Sequence, residues 1–352
     1  MKAEIICFSN NGKKTALTVA ECLKSSMDCR LWMKSKYAAT DESFVSVTDP
    51  LSDWTASVWN SELIVFVGAL GIAVRAIAGS VASKKTDPAV LVLDERMQYC
   101  IPLLSGHLGG ANAFAEDLAG QTGSLPIITT ATDINRLFAV DVFAKKNGLF
   151  IDNMTYAKEV SAALLAGQTV GLYTELPIKG EKLPKGLCLV RDKEEAKACP
   201  LGIYIGIYTD RAYFNKTLRL IPKICALGMG CRKGQLYEPV EQLVWEVVDR
   251  YKLDKRAFLC LASIDLKKDE ACFKKLADAL GIPFICYTAE ELNAVKGEFT
   301  PSSFVKEITG VDNVCERSAM KAAASDRLLM KKLPMHGVTA ALALKDRRID
   351  FE

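Results

Sequence analysis

Only two histidines occur in this chain of 352 residues, and one of them, His107, stands inside the run Ile101-Pro-Leu-Leu-Ser-Gly-His-Leu-Gly-Gly-Ala-Asn112. Imidazole titrates near neutrality without perturbation, so a histidine in such a loop offers a general base or acid. Gly106, Gly109 and Gly110 bracket it at the mouth of a helix, where they allow close approach of backbone to a ligand and leave N–H groups pointing outward. That combination suits a carboxylate or a developing oxyanion. The competing reading is a histidine satisfied at a helix start, in a turn whose glycines serve tight packing.

In the helix that follows, Leu108, Ala111, Ala115 and Leu118 share a face toward a sheet, while Asn112 and Glu116 sit four apart along one edge of it. That edge is expected to border a crevice at the strand ends. Glu116 is a candidate second proton carrier, although a charged residue on a helix edge is usually just solvated. A second loop, Val67-Gly-Ala-Leu-Gly-Ile-Ala-Val-Arg75, joins a strand to a helix through Gly68 and Gly71. A third, Leu227-Gly-Met-Gly-Cys-Arg-Lys-Gly234, combines Gly228 and Gly230 with Cys231, Arg232 and Lys233. Neither has the spacing of a dinucleotide fingerprint or a phosphate loop.

These loops need strands and helices to hold them. Short β-branched runs alternate with segments of helical period, the pattern of α/β architecture with open, mostly parallel sheets flanked by helices. Strands are expected at 5–8, 63–67, 90–93 and 126–129, and helices at 13–25, 72–82 and 109–121. A middle segment, 138–222, carries a helix over 156–165 and strand-like runs at 169–173, 187–190 and 202–208, with turns rich in Gly, Pro and Lys. From residue 223 the alternation resumes with strands at 224–227, 258–262 and 284–287, helices at 238–251 and 270–280, and an apolar run at 337–344. Thr288-Ala-Glu-Glu291 has capping-box spacing. The expected domains are therefore 1–137, 138–222 and 223–352.

Composition excludes several functions. Half of the residues are hydrophobic and a quarter are charged, enough for two or three cores. The net charge of +3 gives no long-range field toward nucleic acid or an anionic membrane. The apolar start is too short for a signal peptide. The tract from Leu63 to Gly79 is broken by glycines and by Arg75, whose charge would cost ~2.5–3.5 kcal/mol near mid-bilayer. A cytoplasmic protein is expected. The 12 cysteines show no C-x-x-C pair and no Cys/His cluster at ligand spacing, so neither a protein metal site nor a disulfide framework is expected. Only Cys231, in its glycine-rich setting, merits closer inspection.

Four motifs of the first half, Gly68-Ala-Leu-Gly-Ile-Ala-Val-Arg75, Lys85-Thr-Asp-Pro-Ala-Val90, Pro102 to Asn112 and Thr129-Thr-Ala-Thr-Asp133, resemble the signature of the cobalt-precorrin-5A hydrolases of anaerobic cobalamin (vitamin B12) biosynthesis. The second half is similar through Leu227–Gly234, Leu261–Glu270, Val314-Cys-Glu316 and His336-Gly-Val-Thr339. The likeness spans nearly the whole chain and is weakest over 1–60 and 170–220.

The resemblance implies a cobalt-bearing, ring-contracted tetrapyrrole substrate whose δ-lactone is opened with release of acetaldehyde, giving cobalt-precorrin-5B. In that reaction His107 is the first choice for general base, and backbone N–H groups around Gly109 and Gly110 would hold the oxyanion. Glu116 would carry the second proton. The substrate's carboxylates call for cations at the rim of an apolar crevice, and Arg75, Arg136, Arg232 and Lys233 are suited to that. Ser105, Gly106, Asn112, Thr129, Thr130 and Asp133, with Gly68, Gly71, Gly228, Gly230 and Cys231, would complete the substrate contacts. No cofactor is expected, because the substrate brings the cobalt. Partners would be that substrate and neighbouring pathway enzymes, with neither nucleic acid nor membrane. A non-catalytic tetrapyrrole carrier would need the same crevice but no titrating base. A methyltransferase of the pathway would need a cofactor loop that is not seen.

Overall fold

The computed structural model describes residues 1–34, 42–83, 86–106, 109–130, 137–180 and 182–351. The chain forms two compact units, Met1–Leu137 and Phe138–Glu352. In the first, strands β1 (Lys2–Cys7), β2 (Asp28–Met33), β3 (Val45–Ser46), β4 (Leu63–Val67), β5 (Ala89–Leu93), β6 (Tyr99–Leu104) and β7 (Leu125–Pro126) make one sheet in the order β3-β2-β1-β4-β5-β6-β7. Helices α1 (Asn10–Leu23), α2 (Leu51–Val58), α3 (Leu70–Ile77) and α4 (Ala111–Thr122) cover it. The central strands Leu63–Val67 and Ala89–Leu93 are buried at every residue because both faces are covered. Ile5, Val65 and Leu91 pack with Ala16 and Val19 of α1 and with Ala111, Ala115 and Leu118 of α4. Ile6, Phe66 and Val92 face the other way, onto Trp54 of α2 and Ala73 and Ile77 of α3.

The first five strands run parallel, but β6 lies antiparallel to β5, and β7 runs with β6. Asp94 makes the reversal. Its carboxylate accepts the N–H groups of Arg96 at 2.8 Å and Tyr99 at 2.7 Å, while Met97 takes φ 57° in the turn. Strand β6 carries Pro102 beside an irregularity in register, where Val90 pairs with Leu104 and Leu91 with Pro102, so Leu103 bulges and the proline is accommodated. That proline makes 99–104 hard to read as a strand. The strand expected at 126–129 shrinks to Leu125–Pro126, and the helix expected at 72–82 spans Leu70–Ile77.

The second unit holds two larger sheets. Its first part contains α5 (Val140–Lys146), β8 (Leu149–Ile151), α6 (Met154–Leu165), β9 (Val170–Thr174), β10 (Ile178–Lys179), β11 (Leu187–Leu189), α7 (Lys193–Ala196), β12 (Leu201–Ile205) and β13 (Lys216–Pro222). Here the sheet order is β11-β9-β12-β13-β8, antiparallel only at β8. The second part contains β14 (Cys225–Cys231), α8 (Tyr237–Tyr251), β15 (Phe258–Ile264), α9 (Ala271–Leu280), β16 (Phe284–Tyr287), α10 (Ala289–Asn293), α11 (Ser303–Thr309), α12 (Val314–Ala323), β17 (Leu328–Met335), β18 (Val338–Leu344) and β19 (Ile349–Asp350). Its sheet order is β16-β15-β14-β18-β17. The capping box is present, with Thr288 accepting from Glu291 N–H and Glu291 from Thr288 N–H. Among the described residues, no helix is long and apolar enough to cross a membrane.

The two parts of this unit share a core, in which Ile207 and Ile221 pack with Leu253 and Phe258. They also share a charge network. Arg219 of β13 donates to Asp152 at 2.9 Å and lies 3.7 Å from Asp254, whose carboxylate also takes both donors of Arg256 at 2.8 and 2.6 Å. Burial opposes the Asp254 carboxylate, but the Arg256 hydrogen bonds and the charges of Arg256 and Arg219 outweigh it and hold its pKa below the ordinary value. A depressed carboxylate stabilises the fold above its unfolded pKa of about 3.9, and that contribution disappears as pH falls through the folded value. Asp254→Asn is therefore expected to lower stability at pH 7 by about 1–3 kcal/mol and to flatten the acid limb of the stability curve, as read by urea unfolding across pH.

Candidate active site

The loop between β6 and α4 is held by its own backbone. Ser105 has φ 57°, and its hydroxyl donates to the Asp87 carbonyl at 3.0 Å. The Asp87 carboxylate in turn caps the N–H groups of Ala82 and Ser83. Ala111 N–H and Asn112 N–H donate to the Ser105 and Gly106 carbonyls at 3.2 and 3.0 Å. A Cβ at Gly109 would stand 2.3 Å from Ser105 Cβ, and one at Gly106 would stand 2.7 Å from Asn112 Oδ1. Glycine is thus required at both positions by close approach. Gly110, with φ 87°, is the N-cap of α4. Buried Asn112 donates from Nδ2 to Thr130 Oγ1 at 3.0 Å, joining the helix start to the segment after β7. His107, Leu108, Asp133 and Arg136 lie outside the described residues.

Because β6 is reversed, this loop opens beside Ala89, where the parallel strands begin. The Gly68–Gly71 turn lies at the opposite edge, with Gly68 N–H donating to Leu93 O at 2.8 Å. So Ser105, Gly106, Gly109, Gly110, Asn112 and Thr130 come together, whereas Gly68, Gly71 and Arg75 stand a full strand length away. Among the described residues of this unit, the two groups thus stand at opposite edges of the sheet. At the far edge, between β1 and β4, the strand order reverses, the usual ligand crevice of an open α/β sheet. There the Phe8 ring lies 2.9 Å from where a Gly68 Cβ would be. Arg75 is exposed and turns back onto the Gly71 carbonyl at 3.1 Å. Glu116 is exposed on α4 and lines a cavity of about 430 Å³ with Cys22, Ser26 and Gln121, while Asn112 is buried toward Thr130. The helix edge expected to present both residues to one crevice is divided in this way. Thr129 is exposed beside the Asn112–Thr130 contact.

In the second unit, the run 227–234 is less of a loop than its glycines suggest. Strand β14 continues to Cys231, paired with β18 along its whole length. A Cβ at Gly228 would fall 1.9 Å from the Cys315 carbonyl and 2.7 Å from Ala319 N, so that glycine lets α12 lie directly on the strand. Beyond the strand, Arg232 and Lys233 are exposed. Gly234, with φ 71°, donates to Glu270 Oε1 at 2.7 Å, and Glu270 also takes Lys267 Nζ at 2.9 Å. Burial opposes the Glu270 carboxylate, but these hydrogen bonds and the Lys267 charge keep its pKa low. Burial pushes the neighbouring Cys231 thiol up to about 12.

Three family models match in succession: cobalamin synthesis G N-terminal over residues 53–133, the cobalamin biosynthesis central region over 138–222, and cobalamin synthesis G C-terminus over 225–343. A cobalt-precorrin-5A hydrolase of Salmonella typhimurium is 35% identical over 286 residues, 80% of this chain and 81% of that one. The chain belongs to the cobalt-precorrin-5A hydrolase family. A second member, from Priestia megaterium, is 30% identical over 80% of this chain and 78% of its own length. A solved structure of a putative cobalamin biosynthesis protein G homolog from Sulfolobus solfataricus is 25% identical, with a TM-score of 0.42, over 98% of this chain and 97% of that one.

The family motifs thus divide between structural and exposed positions. Asp87 and Ser105 knit the β6–α4 loop, and Glu316 is wholly buried, accepting Thr300 N–H, Thr300 Oγ1 and Lys332 N–H at 2.6–2.9 Å. Sequence spacing missed the meeting of Cys231 with Glu270 and Cys272, whose ligand atoms lie within 4.8 Å of one another. No short-range signal reveals it, because one partner ends a strand and the others begin a helix. For Gly228, a packing role predicts that Gly228→Ala destabilises the second unit by about 3 kcal/mol or more, measured by denaturant unfolding.

Proposed function

We infer that this chain hydrolyses cobalt-precorrin-5A to cobalt-precorrin-5B with release of acetaldehyde. The observation that carries this reading is the agreement of all three family models, in order, with curated hydrolases that match over four-fifths of the chain. Water activated by His107 would add to the lactone carbonyl. The oxyanion would be met by the N–H groups of Gly109 and Gly110, since those of Ala111 and Asn112 are already bonded to loop carbonyls. Collapse expels the ring alkoxide, which is protonated; the freed hydroxyl on the bridging carbon then loses its proton as the carbon–carbon bond breaks. The electron pair passes into the macrocycle, and the two-carbon fragment leaves as acetaldehyde.

Arg232 and Lys233, exposed at the end of β14, are suited to substrate carboxylates, and Arg136 and Thr129 are proposed for the same task. Glu116 remains the proposed second proton carrier from its exposed position. The reaction asks for no resident cofactor, since cobalt arrives with the substrate. None of the twelve cysteines is in a disulfide, which suits work in a reducing cytoplasm beside the enzymes that make and use these intermediates.

The test is incubation of the purified chain with the cobalt-lactone intermediate and assay of acetaldehyde. Wild type is expected to release one equivalent per substrate, with a rate that rises with pH through about 6.5, the ordinary imidazole value. His107→Ala is expected to lose on the order of 10²–10⁴ in kcat with its melting temperature unchanged. Absence of acetaldehyde would defeat the reading, and a fully active, stable alanine variant would remove His107 from it.

A further inference from the structure

We propose that Cys231, Glu270 and Cys272 form a binding site for a thiophilic divalent cation, with Zn²⁺ as the species that fits best. The proposal does not rest on the lactone chemistry. Cys231 is the last residue of β14, Glu270 is the N-cap of α9, and Cys272 is in the first turn of that helix. Their donor atoms lie within 4.8 Å of one another. In a tetrahedral zinc site with Zn–S of about 2.3 Å, ligand sulfurs stand about 3.8 Å apart. Roughly 1 Å of side-chain closure therefore completes a two-sulfur, one-oxygen set, with no strand or helix displaced.

The surroundings are arranged as those of ligands are. Glu270 is fixed by two donors, Gly234 N–H on Oε1 and Lys267 Nζ on Oε2, and each oxygen keeps a lone pair for a cation. The Cys231 and Cys272 sulfurs stand within 4.8 Å of one another and of a Glu270 oxygen. Charge also closes. Two thiolates and one carboxylate supply three negative charges, balanced by one divalent cation and Lys267, whose side chain is 13% exposed. The filled site would be neutral, which a largely buried position requires. Two thiol protons pass to solvent as the cation enters. Cys231 is only half-buried and adjoins Arg232 and Lys233, so the fourth position is left to water.

The test uses the full chain, reduced and free of tetrapyrrole, titrated with Co²⁺ as a spectroscopic probe and with Zn²⁺. A thiolate-to-Co²⁺ charge-transfer band should grow to one equivalent and be displaced by Zn²⁺. It should vanish in Cys231→Ser and in Cys272→Ser, persist in Cys286→Ser, and require at least tenfold more Co²⁺ in Glu270→Gln. X-ray absorption of the wild-type Zn²⁺ complex should show two sulfur neighbours, a readout independent of variant folding. No band in wild type, a band that survives loss of either cysteine, a sulfur count other than two, or a Cys231–Cys272 disulfide that forms in air while the reduced pair ignores Zn²⁺ would each overturn the proposal.

Discussion

The antiparallel pairing of β6 with β5 decides at which end of the first sheet the β6–α4 loop opens. Five parallel strands would carry every βα loop to one edge. The Asp94 turn sends β6 back, and the loop that follows it opens where the parallel strands begin. With β5 five residues long, at about 3.3 Å each, the two edges are roughly 16 Å apart. Ser105, Gly109, Asn112 and Thr130 therefore form one group and Gly68, Gly71 and Arg75 another. At the second edge the Phe8 ring lies against Gly68, while the first is a tightly wound turn with two glycines at a helix start.

The second unit uses glycine differently. Gly228 brings α12 onto β14, and the Phe214 ring lies over Gly171 and Gly202, where a Cβ would come within 2.3–2.5 Å of it. In both places the absent side chain makes room for a neighbour, not for a ligand. Buried Glu316 then ties the start of α12 to Thr300 and Lys332. What remains exposed at the end of β14 is Arg232 and Lys233, beside the Cys231, Glu270 and Cys272 group.

Legibility followed the physics of each element. Leu63–Val67 and Ala89–Leu93 were plain because strands buried on both faces are apolar throughout. The face of α4 made by Ala111, Ala115 and Leu118 was equally plain from helical spacing. Strand β6 was hidden by Pro102, tolerated only because the register slips there. The end of β14 was hidden by glycines that signal a turn in isolation and a helix contact in three dimensions. The motif residues of the β6–α4 loop could be found from sequence, but their separation from Gly68 and Arg75 could not, since it depends on the direction of one strand. The convergence of Cys231 with Cys272 depends likewise on which strand end meets which helix start.

The most direct measurement compares kcat for acetaldehyde release by Gly109→Ala and Arg75→Ala against wild type, with melting temperatures taken on the same preparations. If the chemistry sits at the β6–α4 edge, Gly109→Ala displaces the loop and loses on the order of 10²-fold in kcat. Arg75→Ala then stays within about threefold in kcat, a difference of less than 1 kcal/mol. The reverse pattern, a folded and active Gly109→Ala beside an inactive Arg75→Ala, would place the reaction at the opposite edge of the sheet.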